Sequence, residues 1–163
     1  MICFSFLDKS QKNFWLPKLF ALLYENMLGI APSERSYEEQ KREWLAEVSP
    51  ALDKAPRQII LCLEDGNLVG YIQYYIRDQL LMVEELQLKK AYQRTILFYR
   101  FARHLISVMP RNLQRIEAYA DKRNDYSLSL MEKLGMRQCE DACSSPFVHM
   151  AGDLGNTKLW TRQ

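Results

Sequence analysis

Two neighbouring features of this chain could do chemistry. The first is a pair of carboxylates, Glu84 and Glu85, in the otherwise uncharged run Leu80-Leu81-Met82-Val83-Glu84-Glu85-Leu86-Gln87-Leu88. A carboxylate can take a proton from a reacting group within hydrogen-bond reach. The run reads as a β-strand. Consecutive strand residues point to opposite faces, so only one of the two can face a given pocket unless a bulge intervenes. The second feature follows at once: from Gln87 to Arg103 there are five basic residues and no acidic one. This run falls where the strand ends and a helix begins. A helix N-terminus presents free N–H groups and partial positive charge, so the junction reads as an anion site.

The other reactive residue types are scattered. His104 lies on the polar face of its helix and is expected to be solvated, while His149, between Val148 and Met150, reads as structural. Cys3, Cys62, Cys139 and Cys143 form no C-x-x-C pair and have no His close by in sequence, so no metal is expected. No G-x-S-x-G or P-loop pattern occurs. With a net charge of only +2, the chain is no polyelectrolyte binder. Its positive charge is local, which suits a small anionic ligand; a nucleic-acid partner would call for a broader basic stripe. No signal peptide and no apolar run of about 18 residues is visible, so the expectation is no membrane partner and a cytoplasmic protein with reduced thiols.

At 163 residues, 48% apolar and 26% charged, the sequence is expected to form one globular domain over residues 1–163, and it leaves a homodimer open. Several elements must position the two features. Ile2–Phe6 alternates as a first strand. Phe14, Leu16, Leu19, Phe20, Leu23, Tyr24 and Met27 recur at helical spacing up to Gly29, with Pro17 best suited to the first turn. Ser36-Tyr37-Glu38-Glu39 is a capping box for a second helix reaching about Leu52, its end bent or frayed at Pro50. A strand over Arg57–Glu64, a tight turn at Asp65-Gly66-Asn67 and a strand over Leu68–Arg77 lead into the strand at Leu80, as an antiparallel meander. In the Leu68–Arg77 strand, Leu68, Gly70, Ile72, Tyr74 and Ile76 are expected to share one face. A helix over Thr95–Met109 turns Leu97, Phe98, Phe101 and Leu105 inward and connects to a strand at Arg115–Ala120 that can run parallel to the strand at Leu80. A helix over Asp125–Leu134 stops at Gly135, and strands are expected within 135–140, 147–151 and 158–161.

The stretch Asn124-Asp125-Tyr126-Ser127-Leu128-Ser129-Leu130-Met131-Glu132-Lys133-Leu134-Gly135-Met136 resembles the GNAT superfamily of acetyl-CoA-dependent N-acetyltransferases. The family pattern is Asn, two residues, a small residue, two residues, then Leu-Tyr-Glu-Lys-Leu-Gly-Phe; Met131 stands where the Tyr belongs. Upstream, Asp65-Gly66-Asn67-Leu68-Val69-Gly70 is similar to the hairpin before the family's cofactor strand, and Glu85-Leu86-Gln87-Leu88 to that strand's end. The resemblance covers roughly residues 57–136. The family's phosphate loop, Arg/Gln-x-x-Gly-x-Gly/Ala, aligns with Gln93-Arg94-Thr95-Ile96-Leu97-Phe98, where the first position fits and both glycines are absent.

The resemblance implies an α/β fold with a mixed, mostly antiparallel sheet and helices on both faces. It implies acetyl-CoA as co-substrate, with Leu86, Gln87 and Leu88 offering backbone groups to its pantetheine arm as an added strand would. Gln93, Arg94, Thr95, Ile96, Leu97 and Phe98 would meet the pyrophosphate, and Asn124 belongs to the same cofactor set. If Ile96 and Phe98 are helical, no positive φ is needed and their side chains turn to the core. The activity implied is N-acetyl transfer to a small primary amine by direct attack, with Glu85 as the catalytic carboxylate. Trp15, Tyr24, Tyr37 and Trp44, on the two early helices, are either acceptor contacts or core aromatics. The missing glycines and tyrosine support a second reading, a degenerate domain that binds CoA or a partner without catalysis.

Overall fold

In the computed structural model, which describes residues 1–54, 56–140 and 145–155, the chain runs β1 (Ile2–Phe6), α1 (Lys12–Leu28), α2 (Tyr37–Lys54), β2 (Gln58–Glu64), β3 (Asn67–Arg77), β4 (Leu80–Leu88), α3 (Leu97–Ser107), β5 (Arg115–Asp121), α4 (Asp125–Lys133), β6 (Arg137–Gln138) and β7 (Phe147–Asp153). The strands form one sheet in the order β1-β2-β3-β4-β5-β7-β6. Every pairing is antiparallel except β4 with β5. The mixed α/β architecture is therefore as the sequence implies. The strand expected at 158–161 and Cys143 lie outside the described residues.

Local chemistry accounts for the elements. Asp65 and Gly66 take φ of 49° and 82°, the turn that matches strand twist, and so close the β2–β3 hairpin in two residues. Ser36 and Glu39 form the reciprocal capping box, each side chain accepting the other's backbone N–H. Both prolines sit inside helices, not at their ends: Pro17 in α1 and Pro50 in α2. The last turn of α2 is nonetheless held, because Lys12 Nζ donates to Ser49 O at 3.2 Å and pairs with Asp53.

The sheet is buried on both sides in its centre. In β2, Ile60 and Cys62 join the core under α3 and α4, and Ile59 and Leu61 join the core under α1 and α2. All four are at most 2% exposed, and each contributes on the order of 1.5–3 kcal/mol by burial. One expectation fails here: Leu68 does not share a face with Ile72 and Tyr74. The register slips between Cys62 and Leu63, leaving Val69 as an extra residue on β3. Leu68 therefore packs with α1 and α2, and Val69 takes the other side.

Candidate active site

A second register slip makes the site. Gln73 pairs with Glu85 and Tyr74 with Val83, so Glu84 bulges from β4. The bulge puts both glutamates on the side of α1 and α2, where alternation alone would have separated them. Past the bulge β4 also leaves β5. Parallel pairing runs from Leu80 with Arg115 to Val83 with Ala118 and stops there. The strands splay into a gap, with Leu86–Leu88 on one lip and Tyr119–Asp121 on the other.

The β3–β4 pairing holds the first lip. Lys89 N–H donates to Val69 O at 2.9 Å. By antiparallel alternation Gln87 and Glu85 bond back to β3, whereas Leu86 and Leu88 turn their backbone groups to the gap. A Cβ on Gly70 would lie 2.6 Å from Gln87 O and 2.5 Å from Leu88 Cδ2, so this close approach requires glycine. Leu88 O is already satisfied, by Asn26 Nδ2 at 3.0 Å and Gln93 Nε2 at 2.9 Å. This leaves Leu86 as the residue with both backbone groups open to a ligand.

The gap opens into a cavity of about 560 Å³ that passes from the α1–α2 side, through the sheet, to α3 and α4. Phe20, Tyr24, Met27 and Trp44 wall one end and Phe98, Ser127, Leu130 and Met131 the other, with Glu84 and Glu85 in between. A smaller cavity of about 80 Å³ adjoins it at Leu88, Gln93, Tyr126 and Ser127. Tyr24 and Trp44 are thus cavity residues, whereas Tyr37 stacks edge-on to Tyr24 at 4.8 Å and Trp15 edge-on to Phe14 at 5.0 Å, behind the wall.

The two glutamates differ sharply. Glu84 is clamped by the Arg57 guanidinium in a bidentate pair and accepts a bond from Gln73 Nε2 at 2.9 Å. Among the described residues, Glu85 has a single donor, Gln87 Nε2 at 3.1 Å. Burial, with Glu84 and Glu47 adding like charge, pushes Glu85 up to about 7 against the weaker pull of Gln87. On β3, opposite Gln87 and Glu85, Tyr71 and Gln73 each bury a polar oxygen that finds no partner among the described residues.

The anion end is built from backbone. Lys90–Tyr92 makes one 3-10 turn, Arg94 takes φ of 58°, and α3 starts at Leu97, two residues later than the sequence pattern suggests. The single positive φ of this loop is therefore at Arg94, and Ile96 is helical in backbone, as the absence of glycine there requires. Phe98 does point into the core, but Ile96 is 69% exposed: it occupies the cap, outside the first turn, and faces solvent. Thr95 Oγ1 caps Leu97 N–H at 3.2 Å. Arg94 N–H donates to the Tyr126 hydroxyl at 2.7 Å and its guanidinium lies 5.3 Å from the Tyr126 ring centre. Asn124 caps α4, its Oδ1 accepting from Ser127 N–H at 3.1 Å.

Two further residues sharpen the picture. His104 is not simply solvated: it stacks on Phe4 at 4.8 Å, and burial lowers its pKa. Asn26 on α1 is buried and bonds β4 directly. It lies seven residues after Leu19 and four after Leu22, on the apolar stripe, and that polar residue on an apolar stripe was the available signal. No group of three or more His, Cys, Asp or Glu side chains among the described residues could hold a metal ion. No described helix is long and apolar enough to cross a membrane.

The comparisons define the class. The sequence model of the acetyltransferase (GNAT) family matches residues 16–136, and the chain belongs to that family. Its fold is that of solved members. The PaiA N-acetyltransferase of Thermoplasma acidophilum, determined with coenzyme A, superposes with a TM-score of 0.75 at 16% identity, covering 94% of this chain and 99% of that one. An acetyltransferase of Thermus thermophilus gives 0.71 at 14%, covering 94% and 97%. The ribosomal-protein-S5-alanine acetyltransferase of Vibrio fischeri gives 0.66 at 15%, covering 96% and 95%. No protein of curated function matches the sequence.

Acetyl-CoA is the family's acetyl donor, and the residues present fit it. The splayed strands leave the Leu86 backbone edge unpaired beside an apolar cavity. The start of α3 is flanked by Lys89, Lys90 and Arg94, all exposed, with no acidic side chain between them.

Proposed function

We propose that the chain transfers the acetyl group of acetyl-CoA to a small primary amine by direct attack, with Glu85 as general base. The observation that carries this reading is the placement of Glu85: on the bulge, at the waist of the through-cavity, singly hydrogen-bonded and poised near neutrality. A group titrating near the working pH both accepts and releases a proton at small cost. Glu85 takes the ammonium proton directly or through a water, the amine nitrogen bonds to the thioester carbonyl carbon, and the C–S bond breaks. The nitrogen sheds its second proton to solvent as the amide forms, and the sulfur leaves as thiolate and takes up a proton from solvent.

An amine arrives as a cation. Glu47 lines the approach from α2, where Glu43 is held by Arg35, and Tyr24 and Trp44 offer aromatic faces, a setting that favours an ammonium over an anionic acceptor. Leu86 backbone groups, and the start of α3 with Arg94, hold the donor. The test is release of free thiol from acetyl-CoA across a panel of amines, run beside a thermal melt. Acetyl-CoA at about a hundred times its dissociation constant should add roughly 2.7 kcal/mol of stability. A melt that shifts with no amine-dependent thiol would favour the binding-module reading.

A further inference from the structure

We propose that Asn26 and Gln87 are positioning residues, links in a side-chain amide relay that runs from Gln93 in the anion loop to the carboxylate of Glu85 and fixes both its orientation and its charge. The links are Gln93 Nε2 to Asn26 Oδ1 at 3.3 Å, Asn26 Nδ2 to Gln87 Oε1 at 2.9 Å, and Gln87 Nε2 to Glu85 Oε2 at 3.1 Å. Four residues from three parts of the chain, α1, β4 and the loop after it, are thereby joined.

The sense of the relay is dictated by one backbone atom. An amide side chain can present oxygen or nitrogen with almost equal ease, so its direction is set by its neighbours. Leu88 O can only accept, and both Asn26 and Gln93 contact it. Both must therefore present their NH₂ groups there. With its NH₂ at Leu88 O, Asn26 also donates to Gln87, which must turn its oxygen to meet it. That leaves the Gln87 NH₂ aimed at Glu85. A donor so fixed favours the carboxylate over the carboxylic acid, because the acid's proton would have to turn elsewhere.

Among the described residues, no other side chain around Glu85 does this. Glu84 on β4 is occupied by Arg57, Glu43 on α2 by Arg35, and Glu47 on α2 carries like charge. From α1 Tyr24 lines the same cavity. From β3 Tyr71 is fully buried, its hydroxyl finds no partner among the described residues, and burial, with the Glu85 charge adding to it, holds that phenol protonated. Among the described residues, Gln87 is the donor that reaches the Glu85 carboxylate. The relay thus sets the proton affinity of the base from the loop where the anion end of the donor would lie.

The relay's role in catalysis rests on Glu85 being the base, but its test does not. The apo protein, labelled with [13C]glutamate at the side-chain carboxyl, is titrated by NMR; Glu85→Gln identifies the resonance. In the parent the midpoint is expected at about 7. In Gln87→Leu it should rise by about one pH unit, the scale of one lost charge-assisted bond. In Asn26→Leu it should rise by less, because Gln87 stays but is free to flip. The double variant should match Gln87→Leu alone, since links in series do not add. An unmoved midpoint in Gln87→Leu, or a shift there with none in Asn26→Leu, overturns the relay. Should Asn26→Leu fail to fold, Asn26→Ala removes the same link with a good helix former: a smaller upward shift supports the relay and an unmoved midpoint overturns it. If the midpoints shift while the acid limb of acetyl transfer stays in place, the relay stands and Glu85 is not the base.

Discussion

The two ends of the cavity are made of different material. At the α1–α2 end the lining is side chains: Tyr24, Trp44, Glu43, Glu47 and the two bulge glutamates. At the α3–α4 end the polar groups are backbone: the Leu86 edge, the first turn of α3 and the capped start of α4. The difference teaches where variation is cheap. Side chains at the first end can change the acceptor without touching the fold. At the second end the binding groups come from a splayed strand and a helix start, which many sequences can build. The proposed anion site therefore does not depend on the two missing glycines, provided no side chain blocks the amides, and Ile96 points away to solvent.

The largest expected effect lies at the side-chain end. Glu85→Gln should lower turnover about 10²–10⁴-fold and leave CoA affinity unchanged. Glu84→Gln should cost far less, about tenfold or under, because Glu84 is already neutralised by Arg57 and Gln73. Steady-state rates and a CoA titration on both variants decide this. The reverse ranking would assign the base to the clamped residue and break the argument from the bulge.

At the backbone end, Arg94→Ala should weaken CoA by about 1.5 kcal/mol, roughly tenfold, and the loss should shrink as salt rises. The magnitude is at the low end of the range because Arg94 is exposed and partly engaged with Tyr126. Turnover at saturating acetyl-CoA should barely change. Calorimetric titration at two ionic strengths checks it. An equal loss in turnover would show that the ends act as one.

How much of this contrast was legible depends on the same distinction. The hairpin at Asp65-Gly66, the capping box at Ser36 and the stop at Gly135 could be read because each is a local rule about φ or orphan amides. The bulges could not. Val69 and Glu84 are ordinary strand residues, and only the pairing of whole strands decides which is extra. The face of Leu68 and the shared side of the two glutamates were lost with them. Asn26 is hard to read from sequence for a related reason: its place on an apolar stripe is visible, but its partners are 61 and 62 residues away.

The Glu85→Gln variant also carries a stability prediction. An unfolded glutamate titrates near its ordinary 4.5 and the folded Glu85 near 7. Between those values the folded state holds the extra proton, so stability falls as pH rises from about 4.5 to 7 and is flat beyond. Removing the ionisable group should therefore stabilise the protein at pH 8 by about 1–2 kcal/mol, with no difference below pH 4.5. This is less than the full shift would give, since the carboxyl opens onto the cavity. Thermal melts at pH 8 and pH 4 give the comparison. A variant less stable than the parent at pH 8 would mean that the charge is well solvated and the site is not poised for proton transfer.

The smallest effect concerns Met131, which stands between the two ends. It lines the cavity on α4, where the resembling family carries a tyrosine near the donor's sulfur. A thioether cannot give a proton. Tyr126 is no substitute, since its hydroxyl is bonded by Arg94 N–H and borders the smaller cavity. The leaving group, however, is a thiol with a pKa of about 8.5, and a thiolate of that basicity departs without full protonation. The start of α4, whose Asn124 and Ser127 line the cavity, brings the positive end of a helix there and can ease the developing charge. Met131→Tyr should thus raise thiol release only several-fold, and the gain should be largest below pH 8, where a proton donor helps most. Met131 lines the cavity of about 560 Å³, into which the ring can extend. Thiol release followed from pH 6 to 9 in both proteins settles the point. A gain of a hundredfold would mean that departure of sulfur, not deprotonation of the amine, limits the parent. The backbone end would then control the rate, and the division drawn between the two ends would fail.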